Sequence, residues 1–224
     1  MSKDETLSDT VALPRLVIFE GVDGCGKTTL GRLLASYYAS VSPALSLYHG
    51  AFPGNHPGTL GEWVYRLHHN RVTDAPAPAM IAPPALQLLH VAAHVDAIQS
   101  RLTPVFNRGG AVILDRYWWS TYAYVRSHLS PNLAWPLVDA ERPFWHDLPA
   151  PVIIYLTRQR SLKAHELEPE AHVTLDAAYR ELIVAERRRG VCIRELSNDG
   201  LLSGTWADLL NAWAVPFQPM KETT

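Results

Sequence analysis

The chain contains little cysteine: only Cys25 and Cys192 occur among its 224 residues. Two cysteines are too few for the disulfide framework of a small secreted domain or for a cysteine-rich zinc site. The first thirteen residues are polar and of mixed charge, without the apolar core of a signal peptide. We therefore expect a protein of a reducing compartment, the cytoplasm.

Long apolar runs and an excess of positive charge are also absent. No stretch of the sequence reaches the roughly 20 apolar residues of a membrane-spanning helix, so we expect no membrane association. Lysine and arginine number 20 against 22 acidic residues, and the net charge of −2 offers no general basic field for a nucleic-acid backbone. With 47% hydrophobic residues, the composition suits one soluble globular domain.

A phosphate-binding loop is the strongest motif. Residues 21–28, "GVDGCGKT", match the pattern G-x-x-x-x-G-K-[ST] in full. Glycines allow successive backbone N–H groups to converge on an anion, while the lysine reaches the β- and γ-phosphates and the hydroxyl serves Mg²⁺. We expect ATP and its phosphates to be bound by Gly21, Val22, Asp23, Gly24, Cys25, Gly26, Lys27, Thr28 and Thr29.

The rest of the chain alternates short apolar runs with longer helical patterns, which predicts an α/β fold with a parallel sheet flanked by helices. The predicted strands are 15–20, 44–48, 111–114, 152–157 and 191–196. The predicted helices are 27–39, 58–70, 84–101, 117–128, 131–141, 174–188 and 204–213. We expect a flexible segment at 1–14, a kinase-like domain at 15–213 and a tail at 214–224.

A second motif, "AVILDRYWWSTYAY" at 111–124, places Asp115 and Arg116 at the end of an apolar strand. A carboxylate there can hold Mg²⁺ or its water, as a Walker B aspartate does, so Thr28 and Asp115 are the predicted metal residues. The guanidinium of Arg116 offers a planar fork to a phosphate. A surface ion pair at a strand end is the alternative, which the phosphate loop makes less favoured.

Together these motifs resemble those of the thymidylate kinase family of P-loop nucleoside-monophosphate kinases. The loop resembles "GxDGxGKTT", residues 115–124 resemble "DRYxxSxxAY", and "FPGNHPGTLGEWVYRL" stands in the place of the acceptor loop and helix. The resemblance implies a three-layer P-loop sandwich with a five-stranded parallel sheet, ATP as donor, Mg²⁺ and a homodimer. It also implies that Asp23 and Tyr124 face the acceptor sugar and Arg116 its phosphate.

The acceptor side departs from the family. A stretch like "LLFxAxR", whose Phe stacks on thymine and whose Arg bonds its edge, reads "LLHVAAH" here, with His90 and His94 in those places. We expect an altered base pocket; two structural histidines are the alternative, and a metal pair lacks a third ligand. The loop carries Phe52, Pro53 and Asn55 without the family's arginine, and Arg66 is the candidate replacement.

The lid, about residues 158–173, is the third departure. It carries Arg158, Arg160 and Lys163, followed by acidic residues. A transferring phosphoryl group needs positive charge in its transition state, so Arg158 or Arg160 is the predicted catalytic cation, with Lys163 in reserve.

Three hypotheses follow from the sequence. The first is an ATP-dependent kinase of a (deoxy)nucleoside monophosphate that uses dTMP poorly. The second is a kinase that phosphorylates a hydroxyl of a larger acceptor, such as a modified base in DNA. The third is a non-catalytic ATP-binding regulator, against which the intact Lys27, Thr28 and Asp115 argue.

Overall fold

The computed structural model describes residues 13–69, 81–159 and 169–214. Several predicted features lie partly or wholly outside these ranges: the first twelve residues, Arg160 and Lys163 with most of the predicted lid, and the tail beyond residue 214. In the described part, no helix is both long enough and apolar enough to cross a bilayer.

Five parallel strands form one sheet, which confirms the predicted fold class. They are β1 (Leu16–Glu20), β2 (Leu47–Ala51), β3 (Ala111–Asp115), β4 (Val152–Thr157) and β5 (Cys192–Ser197), in the spatial order β2-β3-β1-β4-β5. Within the sheet, β2 and β3 lie on one flank of β1, and β4 and β5 lie on the other. In such sheets ligands bind beyond the carboxyl ends of the strands, at the position where the strand order reverses.

The central strands are buried on both faces, as expected of parallel strands covered by helices. All five residues of β1 are buried, and so are Val152 to Leu156 of β4. The edge strand β2 is only partly buried and lies three residues later than the predicted 44–48. Its apolar signal is weak because it contains His49 and Gly50 and faces solvent in part.

Helices flank this sheet. The first five are α1 (Lys27–Val41), α2 (Leu60–His68), α3 (Pro83–Ala97), α4 (Thr103–Asn107) and α5 (Trp118–His128). The remainder are α6 (Pro131–Asp139), α7 (Arg142–His146), α8 (Pro169–Arg188) and α9 (Leu202–Ala214). A π-helical turn, Ile98–Leu102, joins α3 to α4. The helix predicted at 84–101 is therefore α-helical only as far as Ala97 and continues as this turn. The short helices α4 and α7 were not predicted separately.

Candidate active site

The phosphate loop joins the buried β1 to α1 and needs glycine where the backbone is crowded. Gly21 has φ +137°, and a Cβ there would lie 2.3 Å from the carbonyl oxygen of Leu156. Gly26 has φ +106°, and its Cβ would lie 2.3 Å from the Asn198 Nδ2 atom. Residues with a side chain are disfavoured at such φ values, and a Cβ atom would also collide with its neighbour. Both positions therefore require glycine.

Asn198, just beyond β5, braces the loop from the far side. Its buried amide donates to the carbonyl of Cys25 at 2.8 Å and accepts from Thr205 Oγ1 at 3.0 Å. These bonds give Asn198 a role in holding the loop.

Lys27 points along the inside of the loop. Its Nζ donates to the carbonyl oxygens of Gly21 and Val22, both at 2.9 Å. Burial, followed by the nearby Arg116, lowers the pKa of Lys27. The ammonium group is thus held at the floor of the loop, where a bound polyphosphate would meet it.

Thr28 and Asp115, predicted from two separate motifs, are in direct contact. Thr28 Oγ1 donates to Asp115 Oδ2 at 2.6 Å, while Oδ1 is buried and has no hydrogen-bond partner among the described residues. An unpaired buried carboxylate oxygen beside a hydroxyl fits the oxygen ligands that Mg²⁺ prefers. Within the described ranges, no group of three or more His, Cys, Asp or Glu side chains is arranged to hold a metal ion by itself.

Arg116 connects the phosphate loop to the acceptor side. Its guanidinium pairs with Asp23 Oδ1 and donates to Ser120 Oγ at 2.8 Å. Tyr124 donates its hydroxyl to Asp23 Oδ2 at 3.0 Å. Burial raises the pKa of Asp23, but Arg116 and then Lys27 outweigh this effect, and the pKa is lowered. Asp23 therefore remains a carboxylate beside the guanidinium.

Glu20, which ends β1, is a buried residue that the sequence analysis missed. It accepts from the backbone N–H of Tyr117 at 2.9 Å and from Ser120 Oγ and Tyr179 OH at 2.9 and 3.0 Å. Burial raises its pKa against the opposing effect of Arg116. Glu20 fixes the start of α5 and the hydroxyls around Arg116. In the sequence, only its position directly before the phosphate loop could have indicated that Glu20 belongs to the site.

A cavity of about 600 Å³ opens beside these residues. Eight predicted residues line it: Asp23, Phe52, Pro53, Asn55, His90, His94, Arg116 and Tyr124. Unpredicted lining residues include Tyr65, His68, His69, Gln87, Ser120 and Thr121. The cavity thus joins the ion pair at the loop to the histidines of α3.

The two histidines of α3 that the sequence analysis assigned to the base pocket have different surroundings. His90 Nε2 lies 3.3 Å from His68 Nδ1, and burial, followed by the charges of neighbouring histidines, lowers the pKa of His90 to about 3. His94 Nδ1 lies 2.6 Å from Glu141 Oε2, and its ring lies against that of Phe52, with centroids 4.7 Å apart and planes tilted by 34°. Glu141 lies between α6 and α7, and no local pattern indicated this contact.

The structure does not place Arg66 in the cavity. Its guanidinium lies 4.0 Å from Glu62 on the same helix and over the ring of Trp63, and its side chain is 42% exposed. A different arginine contacts the acceptor loop: Arg101, in the π-helical turn, donates to the carbonyl of Pro53 and to Tyr48 OH. Arg101 was missed because it is separated from the loop by nearly fifty residues.

Arg158, the described candidate for the lid cation, follows β4 and is partly buried. It lies near the carboxylate of Asp199, whose pKa is lowered by hydrogen bonds from Ser197 and Gln159 and, less strongly, by Arg158. Arg158 is outside the set of residues that line the cavity.

Several tryptophans belong to the core or pack against it. Trp118 and Trp119 are buried, while Trp135 packs against Tyr122 with ring centroids 4.6 Å apart. Trp145 meets Phe52 edge-on at 5.2 Å. These indoles support the cavity wall without lining it.

A family model described as thymidylate kinase matches residues 19–168, more than half of the chain. The chain belongs to the thymidylate kinase family. Among the relatives, the thymidylate kinase of Roseiflexus sp. (strain RS-1) is 32% identical over 200 residues, which cover 77% of this chain and 83% of the relative. The thymidylate kinase of Nostoc sp. (strain PCC 7120) is 29% identical over 84% of this chain and 89% of its own.

The fold of the family is also seen in the solved structures. The crystal structure of thymidylate kinase from Ehrlichia chaffeensis superposes with a TM-score of 0.66, covering 89% of this chain and 98% of that one. At 17% sequence identity this likeness concerns the fold alone.

Proposed function

We propose that this protein is an ATP-dependent phosphotransferase that moves the γ-phosphoryl group of ATP to a nucleoside monophosphate. One observation supports this most directly: Lys27, Thr28 and Asp115 lie beside the Arg116–Asp23 pair, which lines the 600 Å³ cavity. A donor site and an acceptor site are therefore adjacent at one edge of the sheet. Membership of the thymidylate kinase family supports the same reaction class.

The residues divide the work between donor and acceptor. Lys27 and the loop N–H groups bind the β- and γ-phosphates. Thr28 and Asp115 would hold Mg²⁺, which would supply positive charge to those phosphates. Arg116 binds the acceptor phosphate, and Asp23 and Tyr124 orient the sugar. Arg158 or Arg160 supplies the remaining positive charge.

The transfer requires no proton from the protein at the nucleophile. An oxygen of the acceptor phosphate forms a bond to the γ-phosphorus, the bond from that phosphorus to the β,γ-bridging oxygen breaks, and ADP leaves. Positioning and charge stabilisation then supply the catalysis, as in other phosphoryl transfers. In this proposal the buried Lys27 stabilises negative charge on the donor phosphates, and the guanidinium of Arg116 stabilises it on the acceptor phosphate.

The alternative functions gain no support. The hypothesis of a hydroxyl acceptor rested on the missing arginine of the acceptor loop and on the replaced thymine-reading pair. Arg116, which the resemblance assigns to the acceptor phosphate, lines the cavity, so a cation for that phosphate is still available. The hypothesis of a regulator is weakened by the contact between Thr28 and Asp115, which suits a reacting metal–nucleotide complex.

A product assay tests the proposal. The protein is incubated with ATP, Mg²⁺ and each of the common nucleoside and deoxynucleoside monophosphates, and nucleoside diphosphates are separated by chromatography. We expect product with at least one acceptor other than dTMP and a lower kcat/KM with dTMP. Lys27→Ala should lower turnover by about 100-fold or more. Arg66→Met, which alters a cation outside the cavity, is the control. Absence of any diphosphate product would refute the kinase.

We also propose that the protein is a homodimer in the cytoplasm. The neighbouring helices α2 and α3 leave large apolar side chains exposed, with Trp63 at 51% and Leu88 at 52%. A second copy of the chain is the partner that the family resemblance suggests. Light scattering after gel filtration should give twice the chain mass, and Trp63→Glu with Leu88→Glu should shift it to the monomer. A monomeric wild-type protein at micromolar concentration contradicts this proposal.

A further inference from the structure

A buried pair of side chains lies at the wall of the acceptor cavity, which His94 lines. His94 is 3% exposed and Glu141 is fully buried, and 2.6 Å separates His94 Nδ1 from Glu141 Oε2. The other carboxylate oxygen accepts from the indole N–H of Trp145 at 3.0 Å. The ring of Phe52 lies against the imidazole, with planes tilted by 34°. These contacts restrict rotation of the His94 ring.

Glu141 restricts where the imidazole of His94 can carry a proton. An ionised carboxylate only accepts hydrogen bonds, so the group that faces it at Nδ1 is an N–H. In a neutral imidazole the second nitrogen then carries a lone pair, as in other carboxylate–histidine pairs that select one tautomer. His94 Nε2 has no hydrogen-bond partner among the described residues, and the side chain lines the cavity. Nε2 is thus the polar atom that His94 has left for a ligand.

This polarity is opposite to that of the arginine which stands at this position in the family pattern. A guanidinium only donates hydrogen bonds and so matches a carbonyl oxygen, whereas the lone pair of Nε2 matches an N–H group. Placing a carbonyl oxygen against this lone pair would leave two acceptors facing each other. Such a mismatch inside a buried site is costly because neither group can recover its bond to water.

We propose that His94, oriented by Glu141, accepts a hydrogen bond from the exocyclic amino group of the acceptor base. The site then selects a base with an amino group beside a ring nitrogen, as in cytosine or adenine, and rejects the 4-oxo edge of thymine. This inference rests on the proposed function, because it assumes that the cavity holds a nucleotide acceptor. It names the chemistry of the base that the kinase would use.

The neighbours of His94 are compatible with this role. Gln87 and His90 precede it on α3 by seven and four residues, so they share its helical face, and both line the cavity. An amide both donates and accepts hydrogen bonds, so Gln87 can pair with the ring nitrogen next to an amino group. His90 is neutral at pH 7 because its pKa is lowered to about 3 by burial and by nearby histidines. It adds no positive charge that would favour a carbonyl oxygen.

Binding of four nucleotides without ATP provides the first test. Isothermal titration calorimetry of the whole chain with dCMP, dAMP, dTMP and dGMP should show tighter binding of dCMP or dAMP than of dTMP, by about ten-fold or more. The comparison of dCMP with dAMP distinguishes a pyrimidine acceptor from a purine acceptor. Equal or tighter binding of dTMP overturns the inference.

Glu141→Gln provides the sharpest variant. The glutamine carbonyl can accept from Trp145 while its amide donates to His94 Nδ1, which moves the imidazole proton to Nε2. We expect the preference to shift toward dTMP by about ten-fold or more. Asp139→Asn, an acid-to-amide change two residues away on an exposed side chain, should leave the preference unchanged. An unchanged preference in a folded Glu141→Gln protein contradicts the proposed role of the pair.

A spectroscopic measurement remains informative even if Glu141→Gln does not fold. Nitrogen-15 NMR of histidine-labelled wild-type protein, assigned through His94→Gln, should show a protonated Nδ1 and an unprotonated Nε2 at pH 7.5. A proton on Nε2 overturns the inference. His94→Gln should also reduce the ratio between dCMP and dTMP affinities toward one, because an amide can pair with either edge.

The two proposals fail separately. If amino-bearing nucleotides bind preferentially and yet no diphosphate forms, the kinase proposal fails and the role of His94 stands. If dTMP is phosphorylated with the highest kcat/KM, the kinase proposal stands and the role of His94 fails.

Discussion

Thr28 Oγ1 donates a 2.6 Å hydrogen bond to Asp115 Oδ2, across 87 positions of sequence. The hydroxyl comes from the first turn of α1 and the carboxylate from the last residue of β3. The contact exists because β3 lies next to β1 in the sheet, with Phe19 opposite Asp115. Neighbouring parallel strands end at the same edge, so both groups reach the position that we propose for Mg²⁺.

The first prediction concerns this metal position. Asp115→Asn keeps the size of the side chain but removes the charge and the unpaired oxygen Oδ1. We expect turnover to fall by on the order of 100-fold, with half-maximal activity at a higher Mg²⁺ concentration. A Mg²⁺ titration of initial rates measures both effects. Asp139→Asn is the matched control, and an unaltered Mg²⁺ dependence in Asp115→Asn would sink the metal assignment.

The second prediction concerns Arg116, whose planar guanidinium pairs with Asp23 and donates a hydrogen bond to Ser120. Arg116→Lys keeps the charge but cannot reproduce the forked donors. We expect kcat/KM for the acceptor to fall by about 10- to 100-fold while KM for ATP changes little. Steady-state kinetics with each substrate varied in turn distinguishes an effect on the acceptor from an effect on ATP. A rise in KM for ATP alone would place Arg116 on the donor side instead.

The third prediction concerns Arg101, which stabilises the acceptor loop through Pro53 and Tyr48. Arg101→Met removes both hydrogen bonds and leaves the Pro53 carbonyl unpaired. We expect KM for the acceptor to rise by about ten-fold at nearly constant KM for ATP. Tyr48→Phe should give a smaller change in the same direction.

Arg108→Met, at an exposed position after α4, is the control for Arg101. A general loss of stability would alter the thermal midpoint and both KM values together. Such a result would assign Arg101 to the fold rather than to positioning of the loop.

The fourth prediction concerns pH. The pKa of His90 is lowered from 6.5 to about 3 in the folded protein. Between pH 6.5 and pH 3, His90 is therefore protonated in the unfolded chain and neutral in the folded chain. The free energy of unfolding therefore falls as pH falls below about 6.5, by up to about 2 kcal/mol at pH 5 from this group. His90→Phe should reduce the loss between pH 7 and pH 5.

Urea unfolding at several pH values measures the effect of His90. His146→Gln, a change at an exposed histidine of α7, should leave the pH dependence as it is in the wild type. An identical slope in His90→Phe and wild type would show that His90 takes up its proton normally in the folded protein.

Local patterns in the sequence were sufficient for the donor side and for the class of fold. The spacing of Gly21, Gly26, Lys27 and Thr28 specifies a phosphate loop because each residue acts within one turn of backbone. The buried strands were found because burial on both faces leaves continuous apolar runs. The edge strand β2 was displaced by three residues because partial exposure weakens that signal.

The acceptor side depended on tertiary structure. No pattern near His94 indicates Glu141, which is 47 positions away, and none near Pro53 indicates Arg101, 48 positions away. Arg66, chosen because it matches the "GExxR" pattern of the family by position, lies outside the cavity. The sequence by itself determined the phosphate loop, since its conformation is set by glycines within one turn of local backbone. Only the packing of distant elements decided which side chains meet across the site, because a partner from a remote part of the chain is fixed by the relative placement of whole elements.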